Sequence, residues 1–199
     1  MERPPAASSV KQSKINIMKI RFFTVLSLLF SFACSNISPE EASAEKTIFS
    51  TNAPSHLFFK NMRSSYYQAT QQAGTKVDLY QLRKIKTDAS VPLIYPVIAD
   101  NWMKDEAYLL IQTNEYEKGF QSPLSVYWSD EAAEGVIEMK SPPNFEHQYA
   151  FALELEEVLK KNYSLFVLDG NEEQVPVFES YDQKSWFLTA LRDYKKLIE

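Results

Sequence analysis

The chain has 199 residues, 45% of them hydrophobic, and a formal net charge of −5. That is enough apolar material for one folded domain, and too acidic a balance for a surface that neutralises nucleic-acid phosphates with Lys and Arg. Four scattered glycines, two histidines and one cysteine leave no glycine-rich phosphate loop, no dinucleotide fingerprint and no Cys/His zinc set.

In chain order, Met1–Ile17 is polar and carries no hydrophobic period, and translation is expected to begin at Met18. Lys19 and Arg21 then precede an uncharged run from Phe22 to Ala33. A spanning helix needs about 20 apolar residues, so this run is too short to cross a bilayer. Basic start, short apolar core and small residue before the cut are the layout of a secretory signal peptide. Cys34 follows at once and has no cysteine elsewhere to pair with. Ser31-Phe32-Ala33-Cys34 resembles the lipobox of bacterial lipoproteins. Ser31 and Phe32 depart from that pattern, while Ala33 fits it. The resemblance implies cleavage between Ala33 and Cys34 and acylation of Cys34, hence a lipid anchor in a bacterial envelope. Serine after the cysteine resembles the outer-membrane sorting preference of some Gram-negative lipoproteins. The expected organisation is a signal peptide over 1–33, a lipidated cysteine and polar tether over 34–55, and one globular domain over 56–199. Removal of residues 1–33 takes away five bases (Arg3, Lys11, Lys14, Lys19, Arg21) and one acid (Glu2), leaving a formal charge of −9.

The tether contains Thr47-Ile48-Phe49 as a candidate short strand. LFFKNMRSSYYQAT, from Leu57, fits two periods: Leu57, Phe58, Met62 and Tyr66 at helical spacing, or Leu57, Phe59, Asn61 and Arg63 at strand spacing. Its aromatic content favours a strand followed by a loop. Strands are expected at 76–85, 91–99, 107–113, 124–128 and 136–140, the last two paired as a hairpin. Pro92 and Pro96 each lack a ladder donor, which places the 91–99 strand at a sheet edge or a bulge. The period then lengthens. Ser141-Pro142-Pro143-Asn144 reads as a helix start, with a helix over about 144–161 whose stripe is Phe151, Ala152, Leu155, Val158 and Leu159. Strands at 163–168 and 175–178 follow. A final helix over about 181–198 is capped by Ser180 and buries Trp186, Phe187, Ala190, Leu191, Tyr194 and Leu197. The fold class is α+β, with one largely antiparallel sheet of about six to eight strands and two helices on one face.

The densest polar-aromatic cluster is Asp100 to Tyr108, in a loop between two apolar strands, where sites concentrate. Trp102, Asp105, Glu106 and Tyr108 are candidate ligand-binding residues, with Trp128 from the hairpin strand. Asp100, Asp105 and Glu106 are candidate carboxylates for hydrolysis, a chemistry that needs two carboxyls at a set separation. Tyr127 and Trp128 must point to opposite faces of their strand. His56 reads as a cap or surface residue and His147 as a helix-surface residue. No residue is assigned a catalytic or metal-binding role and no cofactor is expected. LFFKNMRSSYY, VDLYQLR and NWMKDEAYLLIQ are similar to segments of uncharacterised envelope lipoproteins. The expected function is that of a non-enzymatic accessory or structural lipoprotein, with an envelope protein as partner and no nucleic acid. A carbohydrate- or ligand-binding module is the alternative, and a carboxylate-dependent hydrolase a further one.

Overall fold

Eight strands and three helices make up the part of the chain that the computed structural model describes, residues 48–88, 90–161 and 163–199. Ala33, Cys34 and the whole 1–33 segment lie outside the described residues. All strand pairs are antiparallel, and the class is α+β. The single expected sheet is instead two four-stranded sheets. The first runs β1 (Tyr67–Gln71), β2 (Asp78–Leu82), β3 (Ile94–Asn101), β4 (Glu106–Thr113), in that order. The second is ordered β6 (Glu134–Glu138), β5 (Ser125–Ser129), β7 (Ser164–Leu168), β8 (Gln174–Val177). Side chains from both sheets and from the helices merge into one apolar core.

Period-2 alternation explains the strands. Val126, Leu165, Val167 and Val177 turn inward and are buried, while Glu134, Val136 and Glu138 are exposed. The hairpin expected between 124–128 and 136–140 forms as β5 and β6, with Val126 opposite Ile137. Pro96 lies in β3, which has neighbours on both sides, so the edge assignment needs revision. Pairing of β2 with β3 covers only Ile98 to Asp100, so no β2 residue is paired opposite Pro96. The missing N–H therefore falls where the ladder has already ended.

Three helices replace the expected two. The additional one is α1 (Ala53–Phe58), continued by a π-helical turn over Phe59–Arg63 and a 3₁₀ turn over Ser64–Tyr66. The strand reading of LFFKNMRSSYYQAT is thus overturned over 57–66, while its last four residues enter β1. Asn52 starts the helix: its Oδ1 accepts the Ser55 N–H at 2.8 Å, and Pro54 stands in the first turn. The segment is helical because residues four places apart share one environment. Ser55, Phe59, Arg63 and Tyr67 turn inward, His56 and Lys60 turn to the sheet, and Phe58, Met62 and Tyr66 turn outward.

The helix α2 (Phe145–Lys160) starts on Asn144, whose Oδ1 accepts the His147 N–H at 2.7 Å. The cap is thus Asn144, and the two prolines precede it. Helix α3 (Tyr181–Ile198) starts on Ser180, which accepts the Gln183 N–H at 3.2 Å. Helix α3 packs on β3, β4 and α1, whereas α2 packs on β4 and β6 and so links the two sheets. The helices therefore do not share one face of one sheet. Gln148 of α2 accepts the Ile111 N–H at 2.8 Å on the outer edge of β4. Farther along that edge, Phe49–Thr51 completes the cover. The Ala107 N–H donates to the Phe49 carbonyl at 2.9 Å and the Thr51 N–H to the Asp105 carbonyl at 2.7 Å. Backbone groups that would otherwise template foreign pairing are satisfied in this way. The folded body thus includes the 48–55 stretch expected to be tether, because Phe49 is buried and Asn52 caps a helix.

Candidate functional site

The densest set of interacting polar side chains lies where α1 meets the first sheet. Asp78 and Tyr80 point to one face of β2, two residues apart, and Asp100 points to the same face of β3, paired with Asp78. His56 and Lys60, four apart on the helical segment, come down onto them. Asp100 is fully buried. Its Oδ2 lies 3.0 Å from His56 Nε2 and 3.1 Å from Lys60 Nζ. Lys60 also donates to the Tyr80 hydroxyl, and stands 3.5 Å from Asp78 Oδ2. Asp100 Oδ1 is buried and accepts no hydrogen bond from the described residues.

Electrostatics follow from this geometry. Burial works against the Lys60 ammonium, but the Tyr80 and Asp100 bonds outweigh it and raise its pKa above the ordinary lysine value. Tyr80 is raised by burial, with Lys60 opposing. Lys60 is therefore a fixed cation that partly neutralises two carboxylates, and the cluster clasps α1 to the sheet. A histidine held by a carboxylate can also move a proton, and His56 and Lys60 both keep part of their side chains in solvent. His56, expected as a cap or surface residue, is instead bound to a buried carboxylate, and Lys60 joins it there. The available signal was spacing: 56 and 60 on one helical face, 78 and 80 on one strand face.

A second buried carboxylate anchors the other end of the segment. Arg63 forks onto Asp193 of α3, with Nη2 at 2.7 Å and Nε at 2.9 Å from Oδ2, and the Tyr67 hydroxyl donates to the same oxygen at 2.7 Å. Burial and the neighbouring carboxylate push the Tyr67 phenol far above its ordinary range.

The residues expected to form a ligand site fall in separate places. Trp102 is 47% exposed at the tip of the β3–β4 hairpin, with Met103 exposed beside it. Asp105 closes that turn with φ 52°, and its carbonyl receives the Thr51 N–H. Asp100 belongs to β3 and Glu106 to β4, so only residues 102–105 are loop. The Glu106 carboxylate accepts the Tyr108 hydroxyl proton. Tyr108 stacks on Phe145 at 3.9 Å between ring centres and tilts against Phe49 at 5.4 Å. Burial, then the Glu106 bond, raises its phenol to about 12. The Asp100 and Glu106 carboxylates thus engage different partners, and Asp105 is held through its backbone carbonyl. Trp128 is in the other sheet and turns inward. Its ring lies across Gly135, where a Cβ would sit 2.5 Å from it, and stacks on Tyr163 at 4.9 Å. Tyr127 turns the other way and stacks on Phe166, with ring centres 5.4 Å apart and planes 7° from parallel. With Val136, Leu168 and Gln174 these rings line an open concavity of about 650 Å³. His147 is a helix residue that reaches the Pro142 carbonyl at 3.1 Å.

Among the described residues no helix is long and apolar enough to cross a membrane, and no group of three or more His, Cys, Asp or Glu is placed to hold a metal ion. No protein-family model, curated protein or solved structure matches the chain.

Proposed function

We propose that the protein is a lipid-anchored accessory protein of a bacterial cell envelope, acylated on Cys34, with its folded domain engaging another envelope component. The observation that carries this reading is the uncharged run Phe22–Ala33 ending on the sole cysteine of the chain. Acyl chains on Cys34 contribute about 0.8 kcal/mol for each buried methylene, and more than one chain makes anchoring stable. The sequence context after Cys34 favours the outer membrane of a Gram-negative cell. Exposed Trp102 and Met103 at a hairpin tip suit contact with a protein partner, because aromatic and methionine side chains are enriched at interfaces.

The test is fractionation of cells expressing Cys34→Ala. The variant should leave the membrane pellet for the soluble envelope fraction, and the parent's N-terminal peptide should carry acyl mass on Cys34. Tight membrane retention of the variant would refute the anchor.

A second reading rests on the outer face of the second sheet. Stacked Tyr127 and Phe166 beside half-exposed Val136 offer an apolar patch to a sugar ring or another planar ligand. Tyr127→Ala should abolish retention on immobilised polysaccharide under this reading, and unchanged retention would remove it.

A further inference from the structure

Among the described residues, the outward stripe of the α1–π–3₁₀ segment has no partner that explains it. Leu57 is 62% exposed, Met62 59%, Tyr66 53% and Phe58 43%. Isolated exposed apolar residues are ordinary, but a set this dense on one short segment marks a contact surface. The inward and sheet-facing stripes of the same segment are held by Asp193 and Asp100, so the outward one is presented on a rigid support.

Charge decides what the surface fits. No aspartate or glutamate occurs between Glu45 and Asp78, in a chain whose overall balance is acidic. The two carboxylates that hold the segment are sheltered: Asp100 and Asp193 are buried under Lys60 and Arg63. Exposed bases flank it instead. Lys196 of α3 lies 5.9 Å from the Phe58 ring, and Arg192 stands one helical turn before it on the same helix face. Arg63 lies 4.7 Å from the centre of the Tyr66 ring. Apolar side chains flanked by the exposed bases Arg192 and Lys196 match an anionic bilayer surface. They match a second copy of this chain less well, since a symmetric pairing would set the flanking bases of one copy against those of the other.

The place where the described chain begins supports the same occupant. Thirteen residues lie between Cys34 and Ile48, a connection that reaches at most about 50 Å when fully extended. A domain held that close meets the bilayer at high effective concentration, so a weak apolar contact suffices to orient it.

We infer that Leu57, Phe58, Met62 and Tyr66 form a platform that seats the domain on the headgroup–acyl boundary of an anionic phospholipid bilayer. The inference rests on the lipid-anchor reading for its local concentration, although the surface itself is independent of Cys34.

With Cys34 acylated, an introduced cysteine is the only free thiol. Met62→Cys, Leu57→Cys and, as a control on the exposed face of β6, Val136→Cys are each labelled with an environment-sensitive fluorophore in the full-length lipidated protein. Each is reconstituted on vesicles of phosphatidylethanolamine and phosphatidylglycerol. Labels at 57 and 62 should shift to the blue, resist aqueous iodide roughly threefold or more better than the label at 136, and be quenched by brominated acyl chains. Equal iodide access at all three positions would overturn the platform. Iodide shielding without quenching by brominated lipid would also overturn it, in favour of a covering protein surface. Failure of the anchor reads out separately, as a free Cys34 thiol in the N-terminal peptide. In that case the same labels are placed on Cys34→Ser protein, and the platform stands or falls on the same quenching pattern.

Discussion

Replacing Arg63 by Met tests whether the helical segment is pinned through Asp193. Arg63 supplies two of the three donors that reach Asp193 Oδ2, and the Asp193 side chain is only 2% exposed. Breaking a buried pair from one side costs about 3–5 kcal/mol, because the remaining charge is stranded. Arg63 itself keeps 22% exposure. Water can therefore enter where it stood, which places the expected loss at about 3 kcal/mol. With a urea slope of roughly 2 kcal/mol/M, the denaturation midpoint should fall by about 1.5 M. Arg63→Lys keeps the charge but loses the fork, and should lose about half as much. The informative control removes the whole network. Arg63→Met with Asp193→Leu and Tyr67→Phe leaves no stranded carboxylate or hydroxyl, and should recover to within about 1 kcal/mol of the parent. The assay is urea denaturation followed by far-UV circular dichroism, with amide exchange over residues 57–66 as the local readout. A midpoint shift below about 0.5 M for Arg63→Met, or a triple variant less stable than the single one, would refute the reasoning.

Three further outcomes are expected. Asn114→Ala removes an acceptor for the Leu93 N–H and two donors, to the Asp88 and Val91 carbonyls; stranding the buried Leu93 N–H should cost about 2–3 kcal/mol in urea denaturation and speed amide exchange in the loop before β3. Gly170→Ala places a Cβ 2.5 Å from the Lys118 carbonyl oxygen, which also accepts the Gly170 N–H; the backbone must move, and thermal denaturation should show a loss of about 1–3 kcal/mol. Burial alone would raise the Glu156 carboxyl, but bonds from Lys195 and Lys160 prevail and hold it below its ordinary value. A depressed carboxylate stabilises the fold above its unfolded pKa and loses that contribution as pH falls through the folded value. Lys195→Met should therefore be the less stable protein at neutral pH, with its deficit closing below about pH 4; a deficit independent of pH would contradict this.

Local periodicity carried the regular elements and not their assembly. The final helix, expected over 181–198, spans Tyr181–Ile198, and the helix expected over 144–161 spans Phe145–Lys160. In both, a buried stripe lies opposite charged residues, so propensity and packing agree. The β5–β6 hairpin was readable for the analogous reason at period 2. The division into two sheets was not readable, because β5 pairs with β7 across the whole of α2 and no short-range pattern encodes that choice. The α1 segment failed differently. Its most visible apolar residues, Leu57, Phe58, Met62 and Tyr66, face outward, while its inward positions include Arg63 and its sheet-facing ones His56 and Lys60. Their partners Asp100 and Asp193 lie far along the chain. A polarity pattern cannot anticipate charge neutralised by distant residues. The same distance hid the Asp100 cluster, although Asp100 itself was noticed. The loop expected from Asp100 to Glu106 shrank to four residues because Asp100 and Asn101 extend β3 and Glu106 begins β4.

The short pairing of Phe49–Thr51 with the β3–β4 hairpin also has a mechanical meaning. Any tension entering the domain at Ile48 is met first by two backbone bonds, Ala107 N–H to the Phe49 carbonyl and Thr51 N–H to the Asp105 carbonyl. Phe49, wedged against Tyr108 and Phe145, adds a toggle that must be withdrawn before the chain can slip. Load would pass into the first sheet at that clip before it reached Asn52 and the helix behind it. Such a load would then leave the helical segment behind Asn52 at rest, with the clip as the part that yields first.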